Sequence, residues 1–282
     1  VADAAAEETR YALVLVLPPR QREEARALLA RAVQLAAPDG VVVAAMTNNE
    51  GAKSGEADLK QLAGLAGTLT KFHCRTFWTR KRADSVDDAR LAQWSALDAP
   101  RRIENGRYLS RPGVFAWNRI DPASALLVEC LPTDITGHGA DLGAGWGFLS
   151  LSLLARNPGI TALDLYEAEA RALSLARANL ADAGASATLD FHWHDVTAGL
   201  PQRYDFIVSN PPFHTQSRAD RPDIGQRFIT AAAAALKPGG RLWLVANRHL
   251  PYEQTLNDQF GEVRVAGERD GFKVIAAVKA RR

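Results

Sequence analysis

The chain is poor in cysteine, with two in 282 residues, and it lacks both a long apolar run and a leader pattern. Cys74 and Cys130 have neither metal-ligand spacing nor the dense pairing of a disulfide framework, which excludes zinc-ribbon and disulfide-stapled classes. No stretch approaches the roughly 18 apolar residues of a membrane span. Apolar runs such as Tyr11–Leu17 and Phe206–Val208 are strand-sized or shorter. The start at Val1 reads as processed or trimmed. No basic segment followed by an apolar one opens the chain, so no signal peptide is expected and a reducing cytoplasm fits. No Gly-Lys-Ser/Thr follows the glycine-rich loop described below, which excludes a P-loop. No cysteine lies near the di-proline at 211–212, which excludes a cytosine-C5 nucleophile.

What remains is ordinary for a globular protein: 47% hydrophobic, 23% charged, formal net charge +2. That balance permits a nucleic-acid partner without demanding one. The positive charge is clustered. Lys71, Arg75, Arg80, Lys81 and Arg82 crowd one stretch with Phe72, Phe77 and Trp78 between them; Arg101, Arg102, Arg107 and Arg111 follow around Tyr108. Either this is a solvated face and connection, or it is a phosphate-binding surface with aromatic platforms.

Composition divides the chain. Residues 1–98 are rich in Ala and Leu, residues 99–120 are basic and turn-rich and read as a linker, and residues 121–282 alternate short apolar strands with helical patterns. That alternation predicts an α/β fold with a largely parallel sheet. Strands are expected at 139–142, 160–166, 188–193, 204–209 and 241–247. A closing hairpin over 263–267 and 273–278 turns at Asp270-Gly271, a pair that favours a primed turn. An internal repeat is present. Tyr11-Ala-Leu-Val-Leu-Val-Leu-Pro-Pro-Arg20 aligns with Tyr204-Asp-Phe-Ile-Val-Ser-Asn-Pro-Pro-Phe213. Each is followed by an Ala-rich helix (22–36; 225–236), a Pro-Asp-Gly or Pro-Gly-Gly turn, and a strand (41–46; 241–247). The first copy has Leu17 where the second has Asn210, and Arg20 where it has Phe213. It therefore reads as a degenerate, incomplete copy of the second domain, a recognition or scaffold module.

Four sequence features carry chemistry. Asp141-Leu-Gly143-Ala144-Gly145-Trp-Gly147 follows a strand and opens a helix, where glycines admit close backbone approach and positive φ. It departs from the dinucleotide pattern, since Phe148 occupies the place of the last glycine. Glu167 ends the next strand, where an acid can accept from both ribose hydroxyls; Asp164 is its rival. Asp195, just past the third strand, either accepts from an adenine amino group or caps a turn. Asn210-Pro211-Pro212-Phe213 ends the fourth strand, at the edge where doubly wound sheets bind ligands.

The last motif suits an unreactive amino group. An aromatic amine is a poor nucleophile because its lone pair is delocalised into the ring. Two acceptors on its two N–H bonds pull the nitrogen toward a tetrahedral shape. The Asn210 side-chain oxygen and the Pro211 carbonyl can be those acceptors. Pro211 and Pro212 have fixed φ and offer no competing N–H, and Phe213 can stack on a base. Transfer in line from a sulfonium then rests largely on positioning.

On these residues, with Pro112-Gly-Val-Phe115, Val245-Ala-Asn-Arg-His-Leu-Pro-Tyr252 and Gly271-Phe-Lys-Val274, the chain resembles the class I S-adenosylmethionine methyltransferases. More narrowly it is similar to the bacterial ribosomal RNA guanine-N2 methyltransferases of the small or large subunit. The resemblance implies two tandem methyltransferase-like domains, the second a seven-stranded Rossmann-like sheet. It implies S-adenosylmethionine held by Asp141, Gly143, Ala144, Gly145, Gly147, Glu167, Asp195 and Asn210, with Asn210 to Phe213 around the guanine and no metal. The implied partner is ribosomal RNA, 16S before 23S, or an assembled subunit, acted on by a monomer away from any membrane. Ala144 and Trp146 depart from the smaller or cysteine-containing versions of the loop. Other readings are transfer to adenine N6 or protein glutamine, and a non-catalytic RNA-binding or assembly factor. His192 and His194, two apart on a strand, read as a packed strand face or as a metal pair without a third ligand; His214 reads as a substrate contact or an exposed loop residue.

Overall fold

The computed structural model describes residues 9–182, 187–212 and 222–281. The chain forms two compact units, Val1–Arg101 with Arg111–Gly113, and Arg102–Ser110 with Val114–Arg282. Among the described residues no helix is long and apolar enough to cross a membrane.

In the first unit the order is β1 (Tyr11–Val16), α1 (Arg22–Leu35), β2 (Ala36–Thr47), α2 (Ala52–Ala63), β3 (Gly67–Lys71), β4 (Cys74–Arg80) and α3 (Asp88–Ser95). The sheet runs β1-β2-β4-β3, with β1 and β2 parallel and β2–β4 and β4–β3 antiparallel. α1 starts where Gln21 accepts from the Glu24 amide, with Glu23 and Glu24 favourably placed in the first turn. Its Leu29, Ala30 and Val33 pack with Leu59, Leu62 and Phe77, each fully buried, into one core.

A small hairpin, β5 (Arg101–Ile103) and β6 (Tyr108–Ser110), falls in the second unit from Arg102 on, so the basic stretch at 99–120 carries structure of its own. The unit continues through α4 (Pro122–Cys130), β7 (Gly137–Leu142), α5 (Phe148–Arg156), β8 (Ile160–Glu167), α6 (Ala170–Asn179), β9 (Thr188–Trp193), β10 (Tyr204–Ser209), α7 (Pro222–Ala235), β11 (Leu236–Asn247), α8 (Glu253–Gln259), β12 (Glu262–Arg269) and β13 (Phe272–Val278). The order β12-β13-β11-β10-β7-β8-β9, with β13 antiparallel to both β11 and β12 and every other pair parallel, is the seven-stranded class I methyltransferase sheet. Leu142, Leu163, Leu165, Phe206, Ile207 and Val208 fill the two faces at 0–1% exposure. Each contributes on the order of 1.5–3 kcal/mol of burial.

The repeat recurs in the strand pairing. Tyr11 pairs with Ala36 and Leu13 with Val41; Tyr204 pairs with Leu236 and Phe206 with Arg241, the same register shift at the same place. Within that shift a Cβ at Gly40 would stand 2.9 Å from the Tyr11 carbonyl, and one at Gly240 would stand 3.2 Å from the Asp205 carbonyl, so both turns need glycine. The Lys81 amide donates to Gly40 and the Lys279 amide to Gly240, at 2.8 and 2.9 Å. The strand order β1-β2-β4-β3 thus reproduces β10-β11-β13-β12. What differs lies beyond β1: β10 continues to β7 and the glycine loop, whereas Leu13 and Leu15 on β1 are 54% and 72% exposed.

Candidate active site

Adjacent parallel strands β7 and β10 end side by side, because Ser209 pairs with Leu142 and its hydroxyl donates to the Leu142 carbonyl at 2.7 Å. The next residue on each strand opens a motif: Gly143 after β7, Asn210 after β10. A Cβ at Gly143 would lie 3.7 Å from the Asn210 carbonyl, which fixes how close the two corners come. An open cleft follows, lined by Gly143, Ala144, Gly145, Trp146 and Asn210, with Phe115, Asp121, Ser124 and Phe148 among its other walls.

The loop is held from behind. The Gly143 and Ala144 amides both donate to the Tyr166 carbonyl at the end of β8, at 2.9 and 3.1 Å. Gly143, Gly145 and Gly147 have φ of +78, +56 and +93. Their needs differ. Open space lies over Gly145, whereas a Cβ at Gly147 would meet Leu180 Cδ1 at 2.7 Å, so the last glycine serves packing against α6. Trp146 is 4% exposed, 5.1 Å from the Tyr108 ring centroid, and its carbonyl accepts from Asn179 at 2.9 Å. The bulky residue that departs from smaller loops is therefore a core residue, and part of the basic stretch around Tyr108 is its packing partner.

The acids separate by environment. Asp141 is fully buried; one oxygen accepts from the Ser150 hydroxyl at 2.7 Å and the other has no hydrogen-bond partner among the described residues. Burial pushes its carboxyl up to about 7, against the pull of the Ser150 hydroxyl and with a smaller push from Glu167. Glu167 is half-buried, and the amides of Gly145 and Glu169 each donate to one of its oxygens at 2.8 Å. Each oxygen keeps a second lone pair. Asp164, the rival acid, is buried, accepts from Tyr204 at 2.7 Å and lies 3.2 Å from His138, so it belongs to the core. Asp195 is exposed and caps a short 3₁₀ turn: one oxygen accepts from both the amide and the hydroxyl of Thr197, each at 2.8 Å, which holds its carboxyl below the usual range.

The Asn210 amide is oriented by two groups that sequence reasoning did not single out. Its Nδ2 donates to Asp121 Oδ2 at 3.0 Å and to Ser124 Oγ at 2.8 Å. Both N–H bonds are thus committed, which assigns the amide and leaves Oδ1 as its free acceptor on the cleft. Asp121 also caps α4 by accepting from the Ser124 amide at 2.8 Å. An Asp-Pro-x-Ser helix start is legible in sequence as a cap; that it faces the end of β10 is not. Pro211 is buried and Pro212 exposed, while Phe213 and His214 lie outside the described residues. His192 stacks on Tyr166 at 4.4 Å on the packed strand face, whereas His194 lies just past the end of β9, with its Nε2 2.7 Å from the Gly199 carbonyl and its ring edge-on to Tyr166.

Comparison with known proteins identifies the family. Residues 105–276 match the family model described as methyltransferase small domain. The chain is similar to ribosomal RNA small subunit methyltransferase C of Shewanella pealeana, 32% identical over 94% of this chain and 77% of that protein. It is 40% identical to the protein of the same description from Chromohalobacter salexigens, over 61% of this chain and 51% of that one. Among solved structures it is similar to the T. thermophilus 16S rRNA N2 G1207 methyltransferase in complex with AdoMet and guanosine, with a TM-score of 0.80 and 27% identity over 98% of this chain and 75% of that one.

Proposed function

The chain belongs to the methyltransferase small domain family, and from that premise we propose that it transfers the methyl group of S-adenosylmethionine to the exocyclic N2 of a guanine in 16S ribosomal RNA. The observation that carries the reading is the shared cleft: Asn210, with both amide hydrogens occupied, lines the same opening as Gly143 and Gly145.

The residues fit the cofactor. The unpartnered Asp141 oxygen suits an ammonium group, the open space over Gly145 suits close approach of a ligand, and Glu167 is pre-oriented with acceptor capacity left for a diol. Asp195 has a second oxygen for an adenine amino group. Bound there, S-adenosylmethionine supplies an electrophilic methyl on a sulfonium. Asn210 Oδ1 and the Pro211 carbonyl accept the two N2 hydrogens of guanine. That localises the lone pair, and only after the nitrogen has gained its methyl group does it release one proton, to solvent water. Guanine is favoured over adenine or a glutamine amide by the likeness to the guanosine-bound relative.

Replacing Asn210 with alanine should leave S-adenosylmethionine affinity, measured by calorimetry, within about threefold and drop transfer by on the order of 10²–10³, the scale of losing one preorganised polar group. Turnover equal to wild type would remove the amino-group mechanism. Mass-spectrometric mapping of 16S RNA from cells lacking the protein should show one guanine without its methyl group.

A further inference from the structure

Most of the basic and aromatic stretch at 71–82 is committed to the fold. Arg75 pairs with Glu56, Phe77 is fully buried, Arg80 donates to the Asp39 carbonyl at 3.1 Å and Lys81 to the Ala36 carbonyl at 2.8 Å. What is left is the tip of the β3–β4 hairpin. Lys71 pairs with Cys74, so Phe72 and His73 form a two-residue turn, with φ of +51 and +58.

The internal repeat supplies a control for this turn. In the second unit Arg269 pairs with Phe272, and Asp270-Gly271 makes the same connection with φ of +52 and +83. The anchoring is the same as well: the Asn48 amide donates to the His73 carbonyl at 2.8 Å, the Arg248 amide to the Gly271 carbonyl at 2.7 Å. The fold thus builds this turn from residues that accept positive φ readily. At 72 and 73 it carries a bulky aromatic and a histidine in that same conformation, which is costly for a residue like Phe. Phe72 is 82% exposed, so packing among the described residues repays little of that cost. Strain held without a packing return concentrates at functional positions. The Lys71 ammonium lies 4.9 Å from the Phe72 ring centroid, and no acidic residue occurs between Asp58 and Asp84.

We propose that the Lys71-Phe72-His73 tip is an RNA contact, in which the Phe72 ring stacks on an unpaired base of the ribosomal RNA and Lys71 meets a neighbouring phosphate. The inference rests on the RNA substrate proposed above. An aromatic face beside a cation in an acid-free stretch matches an unstacked nucleotide. A membrane contact is disfavoured by Thr70, Lys71 and His73 flanking the ring.

The test is the full chain carrying Phe72→Asn with His73→Gly, which installs the preferred primed-turn pair without adding charge. Its melting temperature should rise, while its affinity for naked 16S RNA in filter binding falls about tenfold, the scale of losing one stacked base. Phe72→Trp should keep wild-type affinity and show added fluorescence quenching on RNA binding. Lys71→Gln should lower the slope of log affinity against log salt by about one. Wild-type affinity in the Asn-Gly variant, with wild-type protein still methylating RNA, overturns the contact alone. Retained affinity for naked RNA with lost affinity for the assembled subunit overturns it in favour of a protein contact, for which Leu69, 58% exposed, would be a neighbour. Failure of wild-type protein to methylate any ribosomal RNA overturns the proposed function and this contact with it.

Discussion

Asp141→Asn should change the pH dependence of stability in one direction. The carboxyl is fully buried and its pKa is raised from 3.8 to about 7 by burial. An acid raised on folding costs nothing below its unfolded pKa, since both states are protonated there. Between about 4 and 7 only the unfolded state ionises, so stability falls with rising pH by about 1.4 kcal/mol per unit. Above the folded value the loss is constant. Three units make a full loss of about 4 kcal/mol. Asparagine removes this titration and still accepts from Ser150, but it places a donor where the second oxygen has no partner, at about 1–3 kcal/mol. That cost is independent of pH, so the informative quantity is the difference between variant and wild type. Measured by urea denaturation without cofactor, that difference should move in favour of the variant by about 4 kcal/mol from pH 4 to pH 8. Parallel curves for the two proteins would refute the buried, high-pKa carboxyl.

Three further outcomes follow from the site. Asp121→Ser keeps a helix cap but is too short to reach Asn210, so combined with Ser124→Ala it should lower kcat roughly tenfold at unchanged S-adenosylmethionine affinity and nearly unchanged melting temperature. A matching loss in the affinity instead would assign these residues to cofactor binding. Asn210→Asp should be inactive because it sets a carboxylate beside Asp121, and adding Asp121→Asn should recover part of the activity; no recovery in kcat would argue against that hydrogen bond in turnover. Gly145→Ala should weaken cofactor binding with about 1 kcal/mol of lost stability from its positive φ, whereas Gly147→Ala, which collides with Leu180, should cost more in stability; equal effects of the two on denaturation midpoints would contradict the division of labour in the loop.

The sequence by itself determined the strand and helix succession of the second unit, because period-two apolar runs, glycine turns and the Asp270-Gly271 pair are local signals. It also determined the repeat, since a di-proline, a helix and a glycine turn recur in the same order, with helix and turn equally spaced, and the same register shift follows in β2 and β11. The motif residues around the cleft were visible for the same reason: Gly143 and Asn210 each sit one residue past a strand. Tertiary structure alone decided which acid belongs where. Asp164 and Glu167 lie three residues apart on one strand, and only the neighbouring strands spend the first on Tyr204 and leave the second beside the loop. It also decided that Asp121 and Ser124 orient Asn210 across 89 and 86 residues of chain, and that most of the basic stretch is spent on backbone carbonyls and an ion pair while Phe72 stays exposed. Hydrogen-bond partners distant in sequence leave no periodic trace, so charge and residue type announce a polar group without saying what it is bonded to.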